Sequence, residues 1–116
     1  MKILVLEDDG YRVRFFIERF GQHDIKITEN VNMAIEYLQE HKFDYIFLDN
    51  DLGQNNGEGI DVAKYLHDNQ NNPNNNSVII IHSWNAPAAK TIKGYLPNAL
   101  VAPFNMDAFF NLALDF

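Results

Sequence analysis

The chain has 116 residues, of which 47% are hydrophobic and 13% aromatic, a length that fills one hydrophobic core and a composition that excludes disorder and fibrous architectures. Nine Lys and Arg against 16 Asp and Glu give a formal charge of −7, which opposes broad binding to duplex nucleic acid and attachment to anionic lipid. The lack of cysteine excludes disulfides, thiolate catalysis and cysteine-bound zinc.

The opening Met-Lys-Ile-Leu-Val-Leu-Glu-Asp is too short an apolar run for a signal peptide. No other run approaches the roughly 20 residues of a bilayer span, so a cytoplasmic protein without membrane attachment is expected. Short apolar runs at residues 3–6, 25–27, 45–48, 78–81 and 99–102 read as strands, the middle ones buried on both faces.

Between them the apolar spacing is helical. Val13, Phe16, Ile17 and Phe20 mark a first helix closed by Gly21, Val31, Ala34, Ile35 and Leu38 a second, and Ile60, Ala63 and Leu66 a third. Asn85 and Pro87 open a fourth, carrying Ala88, Ala89, Ile92 and Leu96. Met106, Phe109, Phe110 and Ala113, after Asn105, mark a fifth. Residues 69–76, with six Asn, one Gln and one Pro, read as a solvated connector. Alternation of strand and helix predicts one domain over residues 1–116, with a parallel sheet between two helix layers.

Ligands of such sheets bind beyond the carboxyl ends of the strands. There the first strand ends in Glu7, Asp8 and Asp9, and the third in Asp49, Asn50 and Asp51. Taken singly, Asp8 or Asp9 is a helix cap and Asp49 or Asp51 a turn former. Converging from neighbouring strands, they call for a compensating cation, and hard oxygen ligands suit Mg2+ or Mn2+. Asp8, Asp9, Asp49 and Asp51 are therefore the candidate metal residues.

Leu6-Glu7-Asp8-Asp9, Leu48-Asp49, Ser83 and Pro103-Phe104 resemble the response-regulator receiver domains over nearly the whole chain. That resemblance implies a flavodoxin-like (βα)5 sandwich in strand order 2-1-3-4-5, magnesium at the acidic pair, and Asp49 as acceptor of a phosphoryl group from a histidine kinase. The lysine that the family carries before the proline is Ala102 here, which removes the charge that steadies a phosphoaspartate. His82-Ser83-Trp84-Asn85, and Asp49-Asn50-Asp51-Leu52-Gly53 in place of a methionine-proline turn, resemble the cyclic-phosphate-processing variant. This implies action on cyclic phosphates of nucleotides.

His82 sits at a binding edge, whereas His23, His41 and His67 fall in helix ends or loops. It is either a group exchanging protons near neutral pH or a buried ring bonded to backbone. Ser83 is placed to bond a phosphate oxygen, and Asn85 to cap the fourth helix, to donate to the phosphate, or both. Trp84 either stacks on a base or covers the fourth helix.

The leading expectation is metal-dependent hydrolysis of a cyclic phosphate, on a cyclic nucleotide or a cyclic-phosphate end, with Asp49, His82, Ser83 and Asn85 catalytic. The alternatives are a receiver phosphorylated on Asp49 that engages a protein partner through the fourth helix and fifth strand, and a non-catalytic binder of a small phosphorylated ligand.

Overall fold

A computed structural model describes residues 1–105. Five strands, β1 (Lys2–Leu6), β2 (Asp24–Thr28), β3 (Tyr45–Leu48), β4 (Val78–Ile81) and β5 (Leu100–Val101), form one parallel sheet in the order β2-β1-β3-β4-β5. Four helices connect them: α1 (Gly10–Phe20), α2 (Val31–Glu40), α3 (Gly59–Asp68) and α4 (Ala86–Tyr95). The flavodoxin-like order expected from the sequence is the order observed. The fifth helix expected around Met106 to Ala113 lies outside the described residues.

Strand periodicity of two divides the core. Leu4, Leu6, Ile46, Leu48 and Ile81 pack with residues of α2, α3 and α4 on one face. Ile3, Val5, Phe47 and Ile80 pack on the other with Phe15, Phe16 and Phe20 of α1. β1 and β3, buried on both sides, are the continuous apolar runs that a central parallel strand requires.

Each helix start is fixed by a polar cap. Asp9 accepts from the amides of Tyr11 and Arg12, Asn30 from Met33 and Asn85 from Ala88, while the Glu58 amide donates to Asp61 at the head of α3. The Asn-rich connector is not solvated throughout. Asn74 is buried, donates to the carbonyls of Leu38 and His41, and accepts from the Phe43 amide, tying the end of α2 to the start of β3.

The turn after β3 depends on glycine. Gly53 adopts a φ of 80°, a conformation costly for residues with a Cβ. At Gly59 the obstacle is proximity, since a Cβ there would overlap the carbonyl oxygen of Asp49. Gly59→Ala should therefore destabilise the fold by about 1–3 kcal/mol net of alanine's helix preference. Denaturant unfolding checks this; equal stability would show that the turn yields freely.

Candidate functional site

The parallel register puts Val5, Phe47 and Ile80 side by side on the α1 face of the sheet. Backbone pairing then continues one residue past the strands: the Asp49 amide donates to Leu6 O, the His82 amide to Leu48 O and the Ala102 amide to Ile81 O, and beyond them the Phe104 amide donates to His82 O. Glu7, Asp49 and His82, each two residues beyond a member of the Val5-Phe47-Ile80 row, consequently share that face. Their ligand atoms lie within 4.8 Å of one another, and all three residues are buried.

Glu7 is the centre of the cluster. Its Oε2 accepts from the amides of Asp8 and Asp9, and its Oε1 accepts from His82 Nε2 at 2.9 Å. Arg12 of α1 brings Nη1 to 3.5 Å from Glu7 Oε1 and 3.9 Å from Asp49 Oδ2. The guanidinium lies 4.3 Å from the Trp84 ring centroid and 5.1 Å from that of Phe104, a cation–π arrangement. The indole N–H of Trp84 donates to Phe104 O at 2.7 Å, which fixes that ring.

Electrostatics follow from burial. Desolvation raises the Asp49 carboxyl to about 6, and the neighbouring Glu7 charge adds to the rise. Desolvation also raises Glu7, against hydrogen bonds that favour its charged form. The wholly buried His82 is lowered to about 4 by desolvation, with the nearby Asp49 charge acting the other way. The ring is neutral at pH 7, and Nε2 carries the proton given to Glu7.

The other residues singled out in the sequence form a rim. The Asp8 carboxylate stands beside Gly53, within 3.5 Å of where a Cβ would lie. Asp9 commits Oδ1 to the α1 cap. Asn85 does two jobs: Oδ1 caps α4, and Nδ2 donates to both carboxylate oxygens of Asp51 at 3.3 and 3.4 Å. Asp51 also accepts from Asn50, whose own Oδ1 accepts from Ile60 N. Ser83 is buried and its Oγ accepts from the Asn85 amide. The structure thus joins Glu7, Asp49 and His82 in one contact set and Asp51, Ser83 and Asn85 in a second.

Glu7 and Arg12 are absent from the sequence-derived site. Glu7 was readable from strand parity, because it follows Val5 as Asp49 follows Phe47. For Arg12 the available signal was indirect: with Ala102 uncharged, a cation for the carboxylates has to come from another element.

A sequence model of the cyclic-phosphate processing receiver domain matches residues 2–98. The chain belongs to that family. No curated protein matches the chain. Among solved structures, the receiver domain is similar to a phosphorylated cyanobacterial phytochrome response regulator, RcpA, at 19% identity and TM-score 0.74, covering 96% of this chain and 86% of that one. It also resembles the non-phosphorylated HemR receiver domain of Leptospira biflexa at 22% identity and TM-score 0.73, covering 95% and 88%. The Thermotoga maritima response regulator TrrA, in complex with Mg2+ and BeF, superposes at 18% identity and TM-score 0.71, covering 95% and 93%. At such identities these likenesses establish the receiver fold.

The oxygen donors of the receiver domain's site fit a hard divalent cation: the buried carboxylates of Glu7 and Asp49 bring ligand atoms within 4.8 Å of one another. Among the described residues no helix is long and apolar enough to cross a membrane.

The two large pKa shifts have opposite consequences for stability. Asp49, raised from 3.8 to about 6, keeps its proton longer in the folded state, so its contribution falls as pH rises from 4 to 6. His82, lowered from 6.5 to about 4, makes stability fall as pH drops through that same range. Asp49→Asn removes the first effect and, by removing a charge that favours the imidazolium, lowers His82 further. Without metal, this variant should exceed wild type at pH 7 by on the order of 1–3 kcal/mol, and the gap should close toward pH 4. Urea unfolding at a series of pH values reads both; a gap independent of pH would contradict the raised Asp49.

Proposed function

We propose that this receiver domain hydrolyses a cyclic phosphate on a nucleotide or at a 2′,3′-cyclic end. The observation that carries the reading is the buried Glu7-Asp49-His82 row, which joins an acidic pair to a neutral imidazole at the place where the sheet binds ligands.

In the proposed reaction a water oxygen bonds to phosphorus, one ring P–O bond breaks, and the departing oxygen ends with the water's proton, leaving a phosphomonoester. Asp49 is the carboxylate that takes the proton from the attacking water. The Glu7 carboxylate lies beside Asp49, and its negative charge favours the proton on Asp49 before it passes to the departing oxygen. His82, whose ring reaches no solvent, acts on that proton through its bond to Glu7 Oε1. Ser83 and Asn85 orient phosphate oxygens at the rim, and Asp51, bonded to Asn85, steadies the second contact set. Asp8, Asp49 and Glu7 would hold Mg2+ or Mn2+, joined by the Asp9 oxygen not used in capping. A divalent cation there supplies positive charge to the phosphate and lowers the pKa of a bound water.

The test is a panel of cyclic nucleotides and 2′,3′-cyclic oligonucleotide ends with Mg2+ or Mn2+. Wild type should release monoester from at least one, and His82→Ala should lose about 10²–10⁴-fold in rate while keeping its stabilisation by the metal. His82→Gln, which retains a donor, guards against simple loss of folding. No product from any substrate removes the hydrolytic reading, and tight binding without product replaces it with a non-catalytic binder.

The seat of Asp49 at the end of β3, in a fold shared with phosphorylated regulators, supports a second reading as a phosphoacceptor. The α4–β5 face would then dock a protein partner: Trp84, Lys90, Lys93, Val101 and Pro103 border a groove of about 280 Å³ there. Acetyl phosphate with Mg2+ should add one phosphoryl group by intact mass, and Asp49→Asn should prevent it. No added mass on wild type removes that reading.

A further inference from the structure

The fifth strand lacks a charge and the first helix supplies one. Ala102 keeps the backbone pairing expected beside the site, donating its amide to Ile81 O, but offers only a methyl group, which packs in the α1-face core. Of the fourth-helix lysines, Lys93 donates to Ala99 O at 2.6 Å and Lys90 borders the α4–β5 groove. Among the described residues, Arg12 is the lysine or arginine that comes within 4 Å of Glu7 and Asp49.

Its setting is that of a prepared ligand group. The Arg12 side chain is 14% exposed, its guanidinium carbon lies over the rings of Trp84 and Phe104, and Trp84 is in turn held by Phe104 O. Contact with these rings reduces the rotamer freedom that a free arginine loses on binding. The 3.5 and 3.9 Å approaches to Glu7 and Asp49 are longer than a charge-assisted hydrogen bond of roughly 2.7–2.9 Å. The guanidinium makes one long hydrogen bond, from Nη1 to Glu7 Oε1, and its remaining donors match the oxygens of a phosphate.

We propose that Arg12, reaching from α1, is the phosphate-binding cation of this site and replaces the charge that Ala102 cannot provide. The inference rests on the site taking a phosphate, as in the function proposed above, and also assigns Trp84 and Phe104 as residues that position Arg12. It accounts for an exposed tryptophan, at 68%, held by a hydrogen bond over an ion-pair cluster. The competing role for Arg12 is purely structural, as a counter-charge to Glu7.

Equilibrium binding separates the two roles without requiring turnover. The probes are inorganic phosphate and beryllofluoride with saturating Mg2+, titrated by calorimetry into the full chain, with Mg2+ affinity and thermal midpoint measured on the same samples. Arg12→Ala should weaken anion binding by about 10- to 100-fold and leave Mg2+ affinity within a few-fold. Arg12→Lys should recover part of the loss, since it restores the charge but not the planar fork. Trp84, the single tryptophan, should change its fluorescence on anion binding in wild type and lose that response in Arg12→Ala. A folded Arg12→Ala that binds the anions as tightly as wild type overturns the proposal, as does a wild type that binds neither. The hydrolytic reading is judged apart from this: wild type that binds the anions but opens no cyclic phosphate leaves Arg12 in place and removes hydrolysis. Turnover with kcat and KM unchanged in Arg12→Ala does the reverse.

Discussion

The hydrogen bond from His82 Nε2 to Glu7 Oε1, 2.9 Å long and closed off from solvent, is the interaction on which the carboxyl end of this sheet depends. A buried carboxylate is costly unless its oxygens are bonded. Glu7 meets that condition with two backbone amides, the imidazole and a nearby guanidinium. Once Glu7 is held, its charge acts on Asp49 in the adjoining strand and raises that carboxyl beyond the effect of burial. The aromatic wall formed by Phe16, Phe47 and Phe104 keeps the imidazole dry and neutral. Chemistry at the rim is thus set by packing on the α1 face.

Much of this was legible in the sequence because parallel sheets write it in two simple periods. Continuous runs such as Tyr45–Leu48 marked buried strands, helical spacing marked α1 to α4, and the residues following each strand marked the ligand edge. His82 and Asp49 were found that way, as were the capping roles of Asp9 and Asn85. Of the two meanings left open for Asn85, the structure shows the cap, while the amide donor expected to face a phosphate is bonded to Asp51.

Long-range contacts were what the sequence concealed. Arg12 looks like an ordinary helix-face residue until α1 is packed against Trp84 and Phe104, which lie 72 and 92 positions further along the chain. Asn74, in a connector whose composition promised only solvent, is buried because three backbone groups near α2 and β3 need its amide. Neither residue has a local pattern that distinguishes it from its neighbours. Glu7 is intermediate: strand parity marks its face, but only the fold shows that His82 is its partner.

The departure at Ala102 therefore redistributes charge within the receiver fold. Ala102 leaves β5 without a charge there, Arg12 of α1 stands beside Glu7 and Asp49, and a histidine just beyond β4 joins the acidic row. The resulting centre is a buried network of acidic groups and one imidazole whose bonding depends on Glu7. The most direct measurement of that central arrangement is a 15N and 13C NMR titration of His82 in the metal-free protein, compared with Glu7→Gln. The buried row predicts a neutral ring with Nε2 protonated from pH 8 down to about 5, titration near 4, and a changed Nε2 resonance in Glu7→Gln. An imidazole that titrates near its ordinary 6.5 and ignores the Glu7 substitution would contradict it.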